Sequence, residues 1–190
     1  MSTFRGFVAI DIPPLPSIVN VLDTLNKTGA NLKLIEPENL HITLKFLGDT
    51  QDTQIQKIHN VLETCVQDIL PFTIHLRGLG VFPNNNYMKV IWTGIQDDNQ
   101  LSLISKSLNQ LMKPLGFKTE KRPFQPHFTL ARVRTAKNKA ALQNFILNYA
   151  DDDFGNFTVN TIEIKKSQLT SSGPIYTTVT SVILKDREKE

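Results

Sequence analysis

The sequence has little of what marks secreted or membrane proteins. Its 190 residues include one cysteine, Cys65, which excludes an internal disulfide and favours a reducing compartment. The first apolar run, residues 7–10, is too short for the core of a signal peptide and far too short to cross a bilayer. We therefore expect a soluble, cytoplasmic protein that does not associate with membranes. A monomer is a separate expectation, which these features do not decide.

Signatures of metal and nucleotide sites are also missing. The four histidines do not fall at the His-Glu-x-x-His spacing, the chain has no Cys/His cluster, and no Gly-Lys-Ser/Thr loop is present to hold the phosphates of ATP. Cys65 lies in the apolar stripe of a predicted helix, which favours core packing over nucleophilic chemistry. The sequence therefore predicts a protein that needs neither a metal nor a cofactor.

The positive charge is concentrated in one segment. The formal net charge of the chain is only +3, yet residues 118–139 carry seven lysines and arginines against one acid, Glu120. The rest of the chain is therefore slightly acidic. Such a segment fits either a surface for a polyanion or a solvated, lysine-rich loop, and charge alone does not choose between them.

Hydrophobic periodicity and turn residues predict alternating strands and amphipathic helices. Hairpin turns between several strand pairs, among them a hairpin-like link through Pro37 and Asn39, indicate antiparallel sheets that helices cover on one face. No Pro/Gly/Ser linker divides the chain, so we expect one α+β domain over residues 1–190. The predicted strands span residues 4–12, 32–35, 40–47, 72–81, 88–94, 127–133, 157–168 and 175–184, and the predicted helices 15–28, 51–69, 99–115 and 137–149.

Two of the four histidines open the same short pattern. Residues 41–44 read His-Ile-Thr-Leu and residues 127–130 read His-Phe-Thr-Leu, each after a proline-containing loop and inside a predicted strand. Because side chains alternate between the faces of a strand, His41 shares a face with Thr43, and His127 shares a face with Thr129. Two such strands related by a twofold axis would form a cleft with two His–Thr pairs facing each other.

Paired imidazoles and hydroxyls suit the cleavage of a phosphodiester without a metal. One imidazole can take a proton from the attacking water and the other can give a proton to the leaving oxygen, since the ordinary histidine pKa of about 6.5 serves both tasks. The hydroxyls of Thr43 and Thr129 can hydrogen-bond the non-bridging phosphate oxygens. We expect His59 at the flank of the apolar stripe of its helix, and His75 on the surface of its strand.

The chain resembles the 2H phosphoesterases, and more narrowly the RNA 2′,3′-cyclic phosphodiesterases, also called 2′-5′ RNA ligases. The resemblance covers nearly the whole chain in the order of the family. It rests on residues 7–13 (FVAIDIP), 38–48 (ENLHITLKFLG), 78–83 (GLGVFP), 126–132 (PHFTLAR) and 168–176.

This resemblance implies a bilobal fold with two pseudo-symmetric antiparallel sheets, helices on their outer faces and the active cleft between the lobes. It implies that the substrate is RNA with a 2′,3′-cyclic phosphate end, which is hydrolysed to a 2′-phosphate. By the convention of the family, His41 is the proton donor and His127 the proton acceptor, although the near symmetry of the site leaves this assignment open at the level of sequence. Thr43 and Thr129 match the phosphate-binding positions.

Two further residues match family positions, each five places after a histidine. Phe46 would stack on the terminal base and Arg132 would contact the phosphate. Simple alternation disagrees, since an odd offset puts both on the core face unless a bulge or the strand end redirects them. Phe46 is therefore expected either in the core or in the cleft. For Arg132 we expect the cleft, because burying its charge would be costly.

Two other functions remain alternatives. The same residues could run the reaction backwards and join a cyclic phosphate to a 5′-hydroxyl without ATP, although water outcompetes a second RNA end by concentration. A non-catalytic RNA-binding module would need only the basic segment and exposed aromatic residues. Two intact His-x-Thr motifs favour an enzyme over such a module.

Overall fold

The computed structural model describes residues 2–170 and 173–185, so Ser171 and Ser172 of the predicted closing hairpin lie outside the described residues. Within these ranges, strands and helices alternate as the periodicity predicts. The strands are β1 (Thr3–Asp11), β2 (Leu32–Leu34), β3 (His41–Gln51), β4 (Phe72–Asn84), β5 (Tyr87–Gln96), β6 (His127–Val133), β7 (Asp153–Val159), β8 (Thr161–Leu169) and β9 (Pro174–Ile183), and the α-helices are α1 (Pro16–Lys27), α2 (Ile55–Val66), α3 (Gln100–Leu111) and α4 (Lys139–Asn148).

The strands form two antiparallel sheets, and the fold is bilobal α+β. One sheet has the order β3-β1-β8-β9 and the other the order β2-β6-β5-β4-β7. The series β3-β1-β8-β9 corresponds to β6-β5-β4-β7, which places the two motif strands at matching positions, and β2 is the extra strand beside β6. The two lobes therefore present equivalent strands to each other.

The helices cover the sheets on the faces that carry apolar side chains. Helices α2 and α3 pack against the four-stranded sheet, and α1 and α4 pack against the five-stranded sheet. Helix α1 shows why, since its buried residues recur at helical spacing and give it one apolar side (Ile18, Val21, Leu22, Leu25). No helix in the described part of the chain is both long enough and apolar enough to span a bilayer.

Two predictions about strand connections are wrong. The expected hairpin-like link between β2 and β3 does not form, because β2 pairs with β6 and β3 pairs with β1, in different sheets. The predicted strand 157–168 is in fact two strands. Asn160 separates β7, which pairs with β4, from β8, which pairs with β1.

Candidate active site

The two motif strands come together between the sheets. Residues of β3 and β6 approach within 8 Å of each other, measured between Cα atoms. His41 and Thr43 on β3, and His127 and Thr129 on β6, are all half-buried, whereas the apolar residues that alternate with them are buried. The predicted alternation within each motif is therefore confirmed.

A β-bulge follows Thr43 and redirects the next residues of β3, as far as a second register shift after Phe46. Ala9 of β1 pairs with Thr43, but the preceding residue, Val8, pairs with Lys45, so Leu44 is an extra residue in β3. Such a bulge shifts the alternation of the strand by one place. Lys45 therefore turns away from the cleft, and the residue after it turns into the cleft.

Strand β6 contains the same bulge at the same place in its motif. Trp92 of β5 pairs with Thr129, and the preceding residue, Ile91, pairs with Ala131, so Leu130 is the extra residue. The five residues after each histidine therefore follow the same pattern of buried, half-buried and exposed positions in the two strands. The pseudo-symmetry therefore extends to a backbone irregularity.

The two bulges bring Phe46 and Arg132 to the same face as the histidines. The Phe46 side chain is 65% exposed, so the alternative that placed it in the core is wrong. Arg132 is also exposed, as expected for a charge that faces the cleft. The disagreement between strand alternation and the family resemblance is thus resolved by one extra residue in each strand.

Both histidine rings are held by the backbone two residues earlier. Nδ1 of His41 lies 2.7 Å from the carbonyl oxygen of Asn39, and Nδ1 of His127 lies 2.7 Å from that of Gln125. A carbonyl oxygen only accepts a hydrogen bond, so Nδ1 carries the proton in each neutral ring. Nε2 is therefore the ring nitrogen that carries no proton in each neutral imidazole.

His41 packs against two aromatic rings. The centroid of its imidazole lies 5.2 Å from that of Phe7 and 4.9 Å from that of Tyr176, which meets it edge-on. Burial raises the pKa of the Tyr176 hydroxyl, and the positive charge of Arg132 opposes this effect. Since Arg132 belongs to the five-stranded sheet, its charge acts across the cleft on the side of His41.

His127 has an equivalent pair of aromatic neighbours in the other lobe. Its ring centroid lies 4.9 Å from that of Phe82 and 6.1 Å from that of Trp92. The indole lies over Gly80, where a Cβ atom would approach the ring to 2.3 Å, so a glycine is required there. The buried Nε1 of Trp92 has no hydrogen-bond partner among residues 2–170 and 173–185.

An ion network lies on the cleft face of the four-stranded sheet, beside His41. Strand pairing places Asp11 opposite His41, and β8 brings Glu163 and Lys165 to the same face. Lys165 is only 6% exposed, and its ammonium is paired with the carboxylates of Asp11 and Glu163, the latter at 3.2 Å. Glu163 also accepts a hydrogen bond from the Thr178 hydroxyl at 2.5 Å.

Burial lowers the pKa of His41 below its ordinary value. Weaker influences follow in order of size: the hydrogen bond to the Asn39 carbonyl and the charge of Asp11 raise this pKa, while the charges of Lys165 and Arg132 lower it. At neutral pH the free protein therefore favours a neutral His41. Neither threonine hydroxyl of the motifs is engaged in a hydrogen bond within the described ranges, so both remain available to a ligand.

The aromatic neighbours and the ion network were not predicted from the sequence. Alternation along β1 and β8 could have placed Asp11, Glu163 and Lys165 opposite the apolar face of each strand. The order of the strands, which brings these residues beside His41, could not be read from one sequence. Neither here nor elsewhere in the described part of the chain is a group of three or more His, Cys, Asp or Glu side chains arranged to hold a metal ion.

The remaining predicted side chains are placed as expected. The Nδ1 of His59, on α2, lies 3.1 Å from the hydroxyl of Thr180 on β9, and His75 is exposed on β4. Cys65 packs partly buried against the core, and burial raises the pKa of its thiol, which makes it a poor nucleophile.

The burial of Lys45, in contrast, was not expected. Its Nζ donates to the side chain of Asn109 at 2.7 Å and to the Lys118 carbonyl oxygen.

Sequence comparison finds relatives over most of the chain. The family model described as AKAP7 2'5' RNA ligase-like domain matches residues 18–184. The RNA 2',3'-cyclic phosphodiesterase of Methanocaldococcus jannaschii is 41% identical over 174 residues, which are 90% of this chain and 96% of that protein. The protein of the same name from Methanothermobacter thermautotrophicus is 37% identical over 175 residues, covering 91% and 95% of the two chains.

Solved structures share the fold. A Thermus thermophilus protein superposes with a TM-score of 0.78 at 24% identity, covering 95% of this chain and 97% of that one. The E. coli LigT crystal structure with 3'-AMP gives a TM-score of 0.77 at 22% identity, covering 97% and 100%. At these identities the likeness shows the fold alone, and it agrees with the two-sheet arrangement described above.

Proposed function

The chain belongs to the RNA 2′,3′-cyclic phosphodiesterase family of the 2H phosphoesterase superfamily, and we propose that it opens cyclic phosphates at RNA ends with His41 and His127 as its proton-transfer groups. It is a phosphoric diester hydrolase that acts on RNA. The observation that best supports the mechanism is the repeated geometry of the two motifs. Each histidine is held through Nδ1, has a threonine on its own face and precedes a bulge at the same place.

The reaction can be written with these groups alone. Nε2 of His127 takes a proton from a water molecule as the water oxygen attacks phosphorus. The bond from phosphorus to the 3′-oxygen breaks, and Nε2 of His41 gives its proton to that oxygen. The products are a 2′-phosphate and a 3′-hydroxyl, and the two histidines return to their starting states by exchanging protons with solvent.

The negative charge that develops on phosphorus is stabilised from both lobes. Thr43 and Thr129 donate their hydroxyl hydrogens to the non-bridging oxygens, one from each sheet. The exposed guanidinium of Arg132, whose charge already acts on His41, adds a charge-assisted hydrogen bond. The phosphate would thus be held between the two sheets, in line with both imidazoles.

Analysis of the reaction product tests this proposal. A short RNA with a 2′,3′-cyclic phosphate, incubated with the protein in EDTA, should be converted to a 2′-phosphate end. The two possible monophosphates are resolved by chromatography against synthetic standards. A 3′-phosphate product, no conversion, or joining to a 5′-hydroxyl RNA as the main reaction would contradict the proposed function.

His41 must take up a proton from solvent before it can act as the donor. An imidazole that keeps its proton on Nδ1 can donate from Nε2 only in its charged form, yet burial lowers the pKa of His41 in the free protein. We infer that the anionic cyclic phosphate, acting with Asp11, raises this pKa when it binds. Binding should then take up a proton, so the affinity should fall as the pH rises.

A His127→Ala variant isolates this effect, with 2′,3′-cyclic AMP as a ligand whose single negative charge is constant near neutral pH. We expect the Kd of this variant for the ligand to rise with pH by up to about tenfold per pH unit. The rise should occur at pH values between the pKa of His41 in the free protein and its higher pKa in the complex. Titration calorimetry in two buffers measures both Kd and proton uptake. An additional His41→Ala substitution should abolish the dependence, and a Kd that is flat or falls with rising pH in the single variant would exclude His41 as the donor.

Phe46 is proposed to stack on the base next to the cyclic phosphate. Because its ring is 65% exposed, a Phe46→Ala variant should fold normally but bind 2′,3′-cyclic AMP more weakly by about 1–3 kcal/mol. Ribose 2′,3′-cyclic phosphate, which has no base, should bind both proteins equally. A Leu103→Ala variant, which also removes an exposed apolar side chain but from α3, provides the matched control. Equal losses with both ligands would show that Phe46 does not contact the base.

A further inference from the structure

A pocket with a basic lining lies outside the catalytic cleft. A pocket is formed where β5 begins, β6 ends and α4 begins. None of its eleven lining residues is acidic, and we name it the basic pocket after its four basic ones. These are Lys89, Arg134, Lys137 and Lys139.

The charges of the basic pocket are not neutralised within the described part of the chain. None of its four cations forms an ion pair there with a carboxylate. Nζ of Lys139 donates to the carbonyl oxygen of Asn86 at 2.7 Å, and Nζ of Lys89 lies 4.6 Å from the ring centre of Tyr87. Cations gathered without carboxylates produce a local positive potential that attracts a polyanion.

Two strands bring the basic pocket close to Arg132. Arg134 follows Arg132 by two residues, which is roughly 7 Å along the chain. On the neighbouring strand, Lys89 precedes Val90, whose backbone pairs with Arg132. The Tyr87 ring at the rim is 60% exposed and offers a flat surface for a base. A strand of RNA leaving the cleft past Arg132 would therefore meet further cations about one nucleotide away.

We propose that the basic pocket binds phosphodiester groups of the RNA on the 5′ side of its cyclic end, so that the enzyme selects oligonucleotides over mononucleotides. This inference rests on the proposed function. It assigns a role to the carboxyl-terminal half of the basic segment 118–139, whose charge alone is equally consistent with a solvated loop. It also predicts that selection depends on ionic strength, since phosphate contacts release counterions.

The test compares 2′,3′-cyclic AMP with RNAs of three, six and ten nucleotides that end in the same cyclic phosphate. For the intact protein, kcat/KM should increase with length and fall with added salt. In an Arg134→Ala/Lys137→Ala double variant, kcat/KM for the ten-nucleotide substrate should fall about tenfold at low salt. A plot of log kcat/KM against log salt concentration should become less steep by about 1.4, because two contacts to single-stranded RNA are lost. Both side chains are exposed, so the substitutions should not disturb folding.

A Lys57→Ala/Lys106→Ala variant is the matched control, because it removes two exposed cations from α2 and α3 and changes the net charge equally. It should not alter the dependence on length. The proposal is overturned if kcat/KM is independent of RNA length, or if kcat/KM for the ten-nucleotide substrate falls by the same factor in both double variants. Failure of the intact protein to hydrolyse even 2′,3′-cyclic AMP would instead contradict the proposed function, so the two failures are distinguishable.

Discussion

Replacing His41 or His127 with alanine should reduce the hydrolysis of an RNA 2′,3′-cyclic phosphate by about 10²- to 10⁴-fold, which is the range for loss of a general acid or base. The loss should appear in kcat, because the threonines and Arg132 that are proposed to bind the phosphate remain. Both imidazoles act in one step of the proposed mechanism, so the double variant should be little slower than the less active of the two single variants. Single-turnover measurements on a labelled RNA provide these rates.

Asparagine at each position separates chemistry from folding. An Asn side chain can keep a polar group near the backbone carbonyl that now accepts from Nδ1, but it cannot transfer a proton at the place of Nε2. His41→Asn and His127→Asn should therefore be as inactive as the alanine variants and unfold at nearly the wild-type temperature. His75→Ala, which removes an exposed strand histidine, should remain fully active. Wild-type rates in either cleft variant would rule out the two-histidine mechanism.

The sequence predicts most of the candidate site because the proposed catalytic residues belong to a local repeat. His41 with Thr43, and His127 with Thr129, share a face through nothing more than the period of a strand, and the structure agrees. Phe46 and Arg132 depend on an extra residue in each strand, and alternation alone gives the wrong face. A bulge is a property of the pairing with β1 or β5, so it is not encoded in the motif by itself.

The failures in topology have a similar cause. Residues 157–168 read as one alternating strand, because a single residue, Asn160, carries the chain from the five-stranded sheet to the four-stranded sheet. The link through Pro37 and Asn39 has the residues of a tight turn, yet it also joins strands of different sheets. Periodicity reports which face of a strand is apolar, but it does not report which sheet receives the strand.

Lys165→Met should destabilise the protein by about 3 kcal/mol at neutral pH. Removing one partner of a buried ion pair costs roughly 3–5 kcal/mol, and the lower end applies because the Asp11 side chain is 42% exposed. The substitution leaves the carboxylates of Asp11 and Glu163 close together without their shared cation. Urea unfolding measures the loss. Lys166→Met, the neighbouring substitution on the same strand, should cost less than about 1 kcal/mol because Lys166 is only half-buried.

The origin of this loss can be separated from simple packing. If repulsion between the two carboxylates dominates, the difference between Lys165→Met and wild type should shrink as the pH is lowered, since uncharged carboxyl groups no longer need the cation. Adding Glu163→Gln to Lys165→Met should likewise recover part of the stability, because the amide can still accept the hydrogen bond of Thr178. A deficit that is the same at every pH, and that Glu163→Gln does not reduce, would mean that Lys165 stabilises the cleft wall by packing alone. In that case, the ion network would not account for how Asp11 is held opposite His41.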